Sequence, residues 1–157
     1  MYTYPYPRAA LTVDAIVFIR ERIPVLADSK NHNGIIDETL VLLIRRGNEP
    51  FKNKWALPGG FIEMEELLEE ACKRELLEET GIKLEKMTQF KTYDEVDRDP
   101  RHRTISVVFT AELDNRVEAE GGDDAVQADW FPLHNLPELA FDHEKILKDF
   151  SIWLEKD

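Results

Sequence analysis

Glu75, Glu78 and Glu79 stand within one short stretch whose apolar residues, Leu68, Ala71, Cys72 and Leu76, recur at helical spacing. At ~100° per residue, Glu75 and Glu79 project over Leu68 and Cys72, the face that must be buried, and Glu78 lies on its flank. Carboxylates on a core-facing stripe break the binary pattern, and such breaks mark functional sites. Neighbouring carboxylates also repel one another. From Glu63 to Glu79 there are eight glutamates, opposed only by Lys73 and Arg74. A hard divalent cation relieves that repulsion, and oxygen donors on one helix face suit Mg²⁺, with Mn²⁺ as a substitute. Just upstream, Pro58-Gly59-Gly60 offers a backbone able to take left-handed turns or to approach a ligand closely. Glu65, Glu69 and Glu70 read as an ordinary solvated face.

These groups need a scaffold. Leu11–Ile19 alternates and is rich in β-branched residues, Leu40–Ile44 is a more buried run, and the polar Asp28–Glu38 between them, with Asn33-Gly34, suits a hairpin tip. Trp55–Ile62 reads as a short strand interrupted at Pro58-Gly59-Gly60. Glu65–Thr80 reads as a helix closed by Gly81. Further strands are expected at Met87–Tyr93, Thr104–Leu113 and Ala128–Phe131, and a last helix at 142–155 behind an Asp142 cap. Strands with two helices placed to cover a sheet predict an α+β fold, an α/β/α sandwich.

The chain has 157 residues, 43% hydrophobic and 33% charged, with a formal charge of −12. That is enough apolar material for one packed domain spanning 1–157. The acidic balance speaks against nucleic-acid binding, where a basic footprint supplies most of the affinity. Cys72 is the single cysteine, so no internal disulfide forms, and its place on the apolar helix face reads as small core filler. The apolar run Ala15–Ile19 is too short for a bilayer, and the N-terminus lacks the layout of a signal peptide. A cytoplasmic protein is expected, with no membrane partner.

Gly60, Glu66, Arg74, Glu75, Leu76, Glu78, Glu79, Gly81 and Ile82 together resemble the Nudix hydrolase signature, with every fixed position filled. Trp55-Ala-Leu-Pro-Gly-Gly-Phe61 is similar to the usual lead-in of that family. The resemblance implies an α/β/α sandwich with a mixed sheet and a signature loop-helix. It also implies hydrolysis of a nucleoside diphosphate linked to another moiety. By it, Glu75, Glu78 and Glu79 hold Mg²⁺ with the Gly60 carbonyl as a further ligand. Arg74 sets the rotamer of a neighbouring carboxylate, and Glu66 braces the loop–helix junction. The catalytic set is then Arg74, Glu75, Glu78 and Glu79, with Gly59, Glu66 and Gly81 structural. A cation neutralises the anionic phosphate oxygens and lowers the pKa of a bound water. A carboxylate takes the remaining proton: Glu79, or an acid of the late loop, Glu120, Asp123 or Asp124.

Pro5–Asp14, Asp97–Arg101, Gly122–Ala125 and Leu139–His143 are similar to the ADP-ribose pyrophosphatase branch and to the Nudix domain of NAD-metabolism repressors. One departure is Val96, where ADP-ribose enzymes often carry a proline; Pro100 is nearby but out of register. An ADP-ribose site needs cationic forks and a flat apolar surface. Arg45, Arg46, Arg98, Arg101 and Arg103 are available as forks, and Trp55, Phe51 and Tyr93 as platforms. His143 reads as a capping or structural residue. The expected reaction is ADP-ribose to AMP and ribose 5-phosphate. Its rivals are hydrolysis of nucleoside triphosphates, NADH or diadenosine polyphosphates, and a non-catalytic ligand sensor. Many relatives implied by the resemblance are homodimers, and the aromatic N-terminal arm could pack on a neighbour.

Overall fold

The computed structural model describes residues 1–24 and 34–157. Its elements are β1 (Ala10–Pro24), β2 (Ile35–Arg46), β3 (Trp55–Ala56), β4 (Gly59–Phe61), α1 (Leu68–Thr80), β5 (Thr88–Tyr93), β6 (Thr104–Leu113), β7 (Ala125–Pro132) and α2 (His143–Glu155). Strand order along the sheet is β3-β2-β1-β6-β5, with β4 also paired to β1 and β7 to β2. The β1–β6 pair is parallel and the other named pairs are antiparallel, so the sheet is mixed, as expected. Alternation along β1 divides the core. Val13, Ala15 and Val17 pack with Ala71, Cys72 and Leu76 of α1. Ile16 and Phe18 pack with Ile146, Leu147 and Phe150 of α2. Each helix thus covers one face, giving the α/β/α layering.

Several boundaries differ from the sequence reading. The helix expected from Glu65 begins at Leu68, because Leu67 is extended (φ −73°, ψ 156°) and Glu66 folds back to accept the Glu63 N–H at 2.7 Å. Glu70 accepts the Leu67 N–H at 3.1 Å and closes that first turn. Gly81 ends the helix in the left-handed conformation (φ 77°) with its N–H on the Leu77 carbonyl, the geometry a helix-ending glycine permits. Asp142 occupies the capping position of α2, yet its side chain caps nothing, since both oxygens are taken by Arg98. Residues 28–33 of the expected hairpin tip lie outside the described residues, and Ile35–Glu38 are strand, paired to β1. Gly59 and Gly60 lie within β4, and neither has positive φ. What they allow is close approach.

Among the described residues no helix is long and apolar enough to cross a membrane.

Candidate active site

β4 lies along the start of β1, with Gly60 opposite Val13 and Gly59 opposite Asp14. This pairing brings the glycine pair under α1. A Cβ on Gly60 would sit 2.6 Å from the Glu75 carboxyl carbon, so a side chain there would displace that carboxylate from its present position. A Cβ on Gly59 would run into the Val13 carbonyl and Asp14. Gly59 N–H donates to Glu79 Oε1 at 2.8 Å, fixing one oxygen of the most buried of the three glutamates.

Arg74 organises the rest of the helix face. Its Nε and Nη2 hold both oxygens of Glu66 at 3.0 and 2.7 Å, and Nη2 also reaches the Phe61 carbonyl at 3.1 Å. Its Nη1 donates to Glu75 at 2.9 Å and to Glu78 at 3.2 Å. A planar fork with this many fixed donors sets several carboxylates at once, which an ammonium cannot do. The bonds to Glu66 and Glu75 push the guanidinium's proton affinity up, and the Arg74 bonds hold Glu66 below the usual carboxylate range.

Burial works the other way on the core-facing acids. It raises Glu75, against the pull of Arg74, and it pushes Glu79 up to about 8, helped by the nearby charges of Glu75, Asp14 and Asp124 and opposed by the Gly59 N–H. A carboxylate held at that value is under-compensated for its charge.

These residues form one wall of a cleft of ≈ 510 Å³. Glu63, Arg74, Glu75, Glu78, Glu79, Asp123 and Asp124 line its acidic side. Asp124 accepts from Asn48 Nδ2 at 2.9 Å, and the loop carrying it docks on the end of α1 through Gly122 N–H to the Glu79 carbonyl at 3.1 Å. The other side is cationic and aromatic. Arg46 is partly buried; among the described residues its guanidinium makes one hydrogen bond, to the Pro50 carbonyl at 2.8 Å, and it lies 4.9 Å from the Phe141 ring centre. Arg101 lies 5.3 Å from the ring of Phe61 and 5.7 Å from that of Phe141, and Asp99, also in the cleft lining, accepts from its Nε and Nη2 at 3.1 and 2.8 Å. Burial, together with the neighbouring Arg101 charge, lowers the proton affinity of Arg46. Two guanidinium groups side by side, facing carboxylates across a cleft, are arranged for an anion bridged by cations.

The structure sorts the remaining sequence-derived candidates. Gly60, Glu75, Glu78, Glu79, Arg46, Arg98, Arg101, Asp123 and Asp124 line one cleft. Arg45 and Trp55 do not. They sit in the β2–β3 pair, Trp55 packs edge-on against Phe131 at 4.6 Å within the α2-side core, and Arg45 reaches Asn53 on the surface. Arg98 lines the cleft with its guanidinium buried and doubly bonded to Asp142, at 2.9 and 2.7 Å, whereas Arg101, paired to Asp99 in the same manner, keeps its side chain 37% exposed. Glu120 is outside the cleft, its N–H on the Thr80 carbonyl. Among the platforms, Tyr93 is buried and donates to Asp149 at 2.8 Å, while Phe51 packs against Phe141 at 4.9 Å. Arg103 donates to the Asp94 carbonyl. Cys72 is fully buried, and burial pushes its thiol up, which keeps it unreactive. Sequence reasoning missed Asp14, Phe61, Asp99 and Phe141. All four lie inside strings quoted above for their likeness to the family, Pro5–Asp14, Trp55–Phe61, Asp97–Arg101 and Leu139–His143, but nothing in those strings singled them out.

The NUDIX domain model matches residues 25–151. The chain belongs to the Nudix hydrolase family. A Nudix relative from Methanocaldococcus jannaschii named ADP-ribose pyrophosphatase is 49% identical over 122 residues, 77% of this chain and 72% of that protein. Among solved structures, the NUDIX domain of Shewanella oneidensis NrtR complexed with ADP ribose superposes with a TM-score of 0.78 at 28% identity, over 97% of this chain and 94% of that one. A Francisella tularensis bifunctional NMN adenylyltransferase/ADP ribose pyrophosphatase, complexed with AMP and a Mn ion, gives a TM-score of 0.76 at 30% identity. The match covers 98% of this chain but 43% of that longer one. Nudix hydrolases depend on a metal, and the residues here fit one. Glu75, Glu78 and Glu79 carry hard oxygen donors and line one cleft, with Gly60 close against the Glu75 carboxylate. Among the described residues no three acidic, His or Cys side chains converge as a metal cluster; Arg74 holds Glu75 and Glu78, and Gly59 holds Glu79.

Proposed function

We propose that this Nudix hydrolase cleaves the diphosphate bond of ADP-ribose, giving AMP and ribose 5-phosphate, with Mg²⁺ held by Glu75, Glu78, Glu79 and the Gly60 carbonyl. The observation that carries the reading is the pairing of two unlike walls in one cleft: a carboxylate set on α1 faces Arg46 and Arg101. The 49% identity to a protein named ADP-ribose pyrophosphatase and the likeness to an ADP-ribose-bound domain support the choice of substrate.

A bound divalent cation would neutralise the diphosphate oxygens and favour ionisation of the attacking water. The chain's own residues supply the rest. Arg46 and Arg101 are placed to take the outer phosphate oxygens, and Phe61 and Phe141 offer flat surfaces for base or ribose. Arg74 keeps Glu75 and Glu78 turned toward the cleft and Glu66 keeps Arg74 in place. Glu79 on the cleft floor, and Asp123 and Asp124 on its exposed rim, are the carboxylates that could take the water's proton. Glu120 lies outside the cleft lining.

The test is chromatographic product analysis with Mg²⁺ on ADP-ribose, NADH, diadenosine polyphosphates and nucleoside triphosphates, with Glu79→Gln in parallel. AMP and ribose 5-phosphate from ADP-ribose, lost in the variant, support the reading. Turnover of another substrate alone removes ADP-ribose and keeps the reaction class. Tight ADP-ribose binding with no turnover makes the protein a sensor instead.

A further inference from the structure

Asp14, Ser106 and His143 come from β1, β6 and the first residue of α2, all outside the 60–82 signature, yet they meet beside the glycine pair. His143 is 3% exposed. Its Nδ1 accepts the Leu57 N–H at 3.0 Å, which leaves the neutral ring's hydrogen on Nε2. Nε2 faces Asp14 Oδ1 at 3.6 Å, and Asp14 Oδ2 accepts from Ser106 Oγ at 2.5 Å. With Nδ1 spent on a backbone amide, His143 cannot take a proton from water in the cleft. Every bond in this group instead bears on the 57–60 turn. Leu57 N–H is held by His143, the Pro58 carbonyl accepts Ala15 N–H at 2.7 Å, and Gly59 sits opposite Asp14 with its own N–H on Glu79. Asp14 and Glu79 thus place two carboxyl groups around Gly59.

We propose that His143, backed by Asp14 and Ser106, is a positioning residue that holds the 57–60 turn, so that Gly59 N–H fixes Glu79 and Gly60 stays against Glu75. It links the helix on one face of the sheet to the carboxylates on the other. The inference rests on reading those carboxylates as a cation site.

Two readouts keep that dependence separable: amide exchange at Gly59 in metal-free protein, and Mn²⁺ affinity by electron paramagnetic resonance without substrate. His143→Leu is expected to speed Gly59 exchange and weaken Mn²⁺ binding about 10-fold, in the range seen when groups orienting metal ligands are removed. His143→Asn, whose amide oxygen can replace Nδ1, should restore most of both. Trp153→Ala, which loosens α2 by removing its ring contacts with Phe90 and Phe150, should lower Tm yet leave Mn²⁺ affinity within twofold. If His143→Leu does not fold, Ser106→Ala carries the test, with severalfold weaker Mn²⁺ binding expected. Unchanged Gly59 exchange and Mn²⁺ affinity in the variant that folds, or an equal loss in Trp153→Ala, overturns the proposal. Wild-type protein that binds no Mn²⁺ overturns the cation reading, while Gly59 exchange still reports on the turn.

Discussion

The two walls of the cleft are built in opposite ways. The acidic wall comes mainly from one helix, where Glu75, Glu78 and Glu79 lie within a turn and a half and Arg74 ties two of them to Glu66 and the Phe61 carbonyl. The facing wall draws Arg46 from the end of β2, Phe61 from β4, Arg101 from the loop between β5 and β6, and Phe141 from just before α2. The first is over-determined by local geometry and the second exists only once the sheet is complete. In the proposed reaction the local wall holds the bond-breaking machinery and the dispersed wall holds the substrate. A family can keep the first while changing the second one segment at a time.

The comparison breaks most visibly if the acidic wall is expendable. Glu79→Gln should lower kcat on the order of 10³-fold, measured by product chromatography, and a loss under tenfold would remove Glu79 from the chemistry. Arg74→Lys keeps the charge but not the fork. It should weaken divalent-cation affinity 10- to 100-fold by titration calorimetry, the usual cost of losing a group that orients ligands. On the facing wall, Arg101→Ala and Arg46→Ala should each raise KM roughly tenfold with a smaller change in kcat. Arg98→Ala sharpens the contrast. Its partner Asp142 would be left partly buried and alone, so it should cost on the order of 3 kcal/mol in urea unfolding and act through stability.

A pH test separates the burial of Glu79 from its role in catalysis. Its folded value of about 8 lies above the ordinary glutamate value of 4.5, so the metal-free native state binds the extra proton between those limits. Stability from this group is therefore present at the acid end and is lost as pH rises toward 8. Glu79→Gln should raise the Tm of metal-free protein at pH 8 by about 3 °C or more, and by much less at pH 5, in scanning calorimetry. The smallest effect belongs to Arg45→Ala, whose side chain lies outside the cleft. Its KM should stay within twofold of wild type, and a larger shift would redraw the facing wall.

What could be read in advance follows the same division. The α1 stripe exposed Glu75 and Glu79 because a helix repeats every few residues, so a misplaced charge is visible within the stretch itself. β6 was legible to its end residues for a similar reason. Arg98 and Arg101 looked alike as sequence, and each is doubly bonded to an aspartate, Asp142 or Asp99; only tertiary contacts show the first buried and the second partly exposed beside Phe61 and Phe141. Trp55 looked like a stacking platform, but its ring is needed by Phe131. The start of α1 was misjudged because a glutamate-rich run has high helix propensity throughout. Glu66 binds backbone and Arg74 instead of extending the helix.

The parallel pairing of β1 with β6 has a consequence in time. Ala10 stands opposite Thr104, and the register continues to Ile19 opposite Leu113, so the strand at the middle of the sheet meets its partner only after 94 further residues have been made. Contacts this far apart carry a large loop-closure cost and make for slow folding. During synthesis β1 can form its hairpin with β2 early, but its other edge must wait, open to any strand that comes near. Protein made slowly, or stalled before β6 leaves the ribosome, should be the fraction that aggregates.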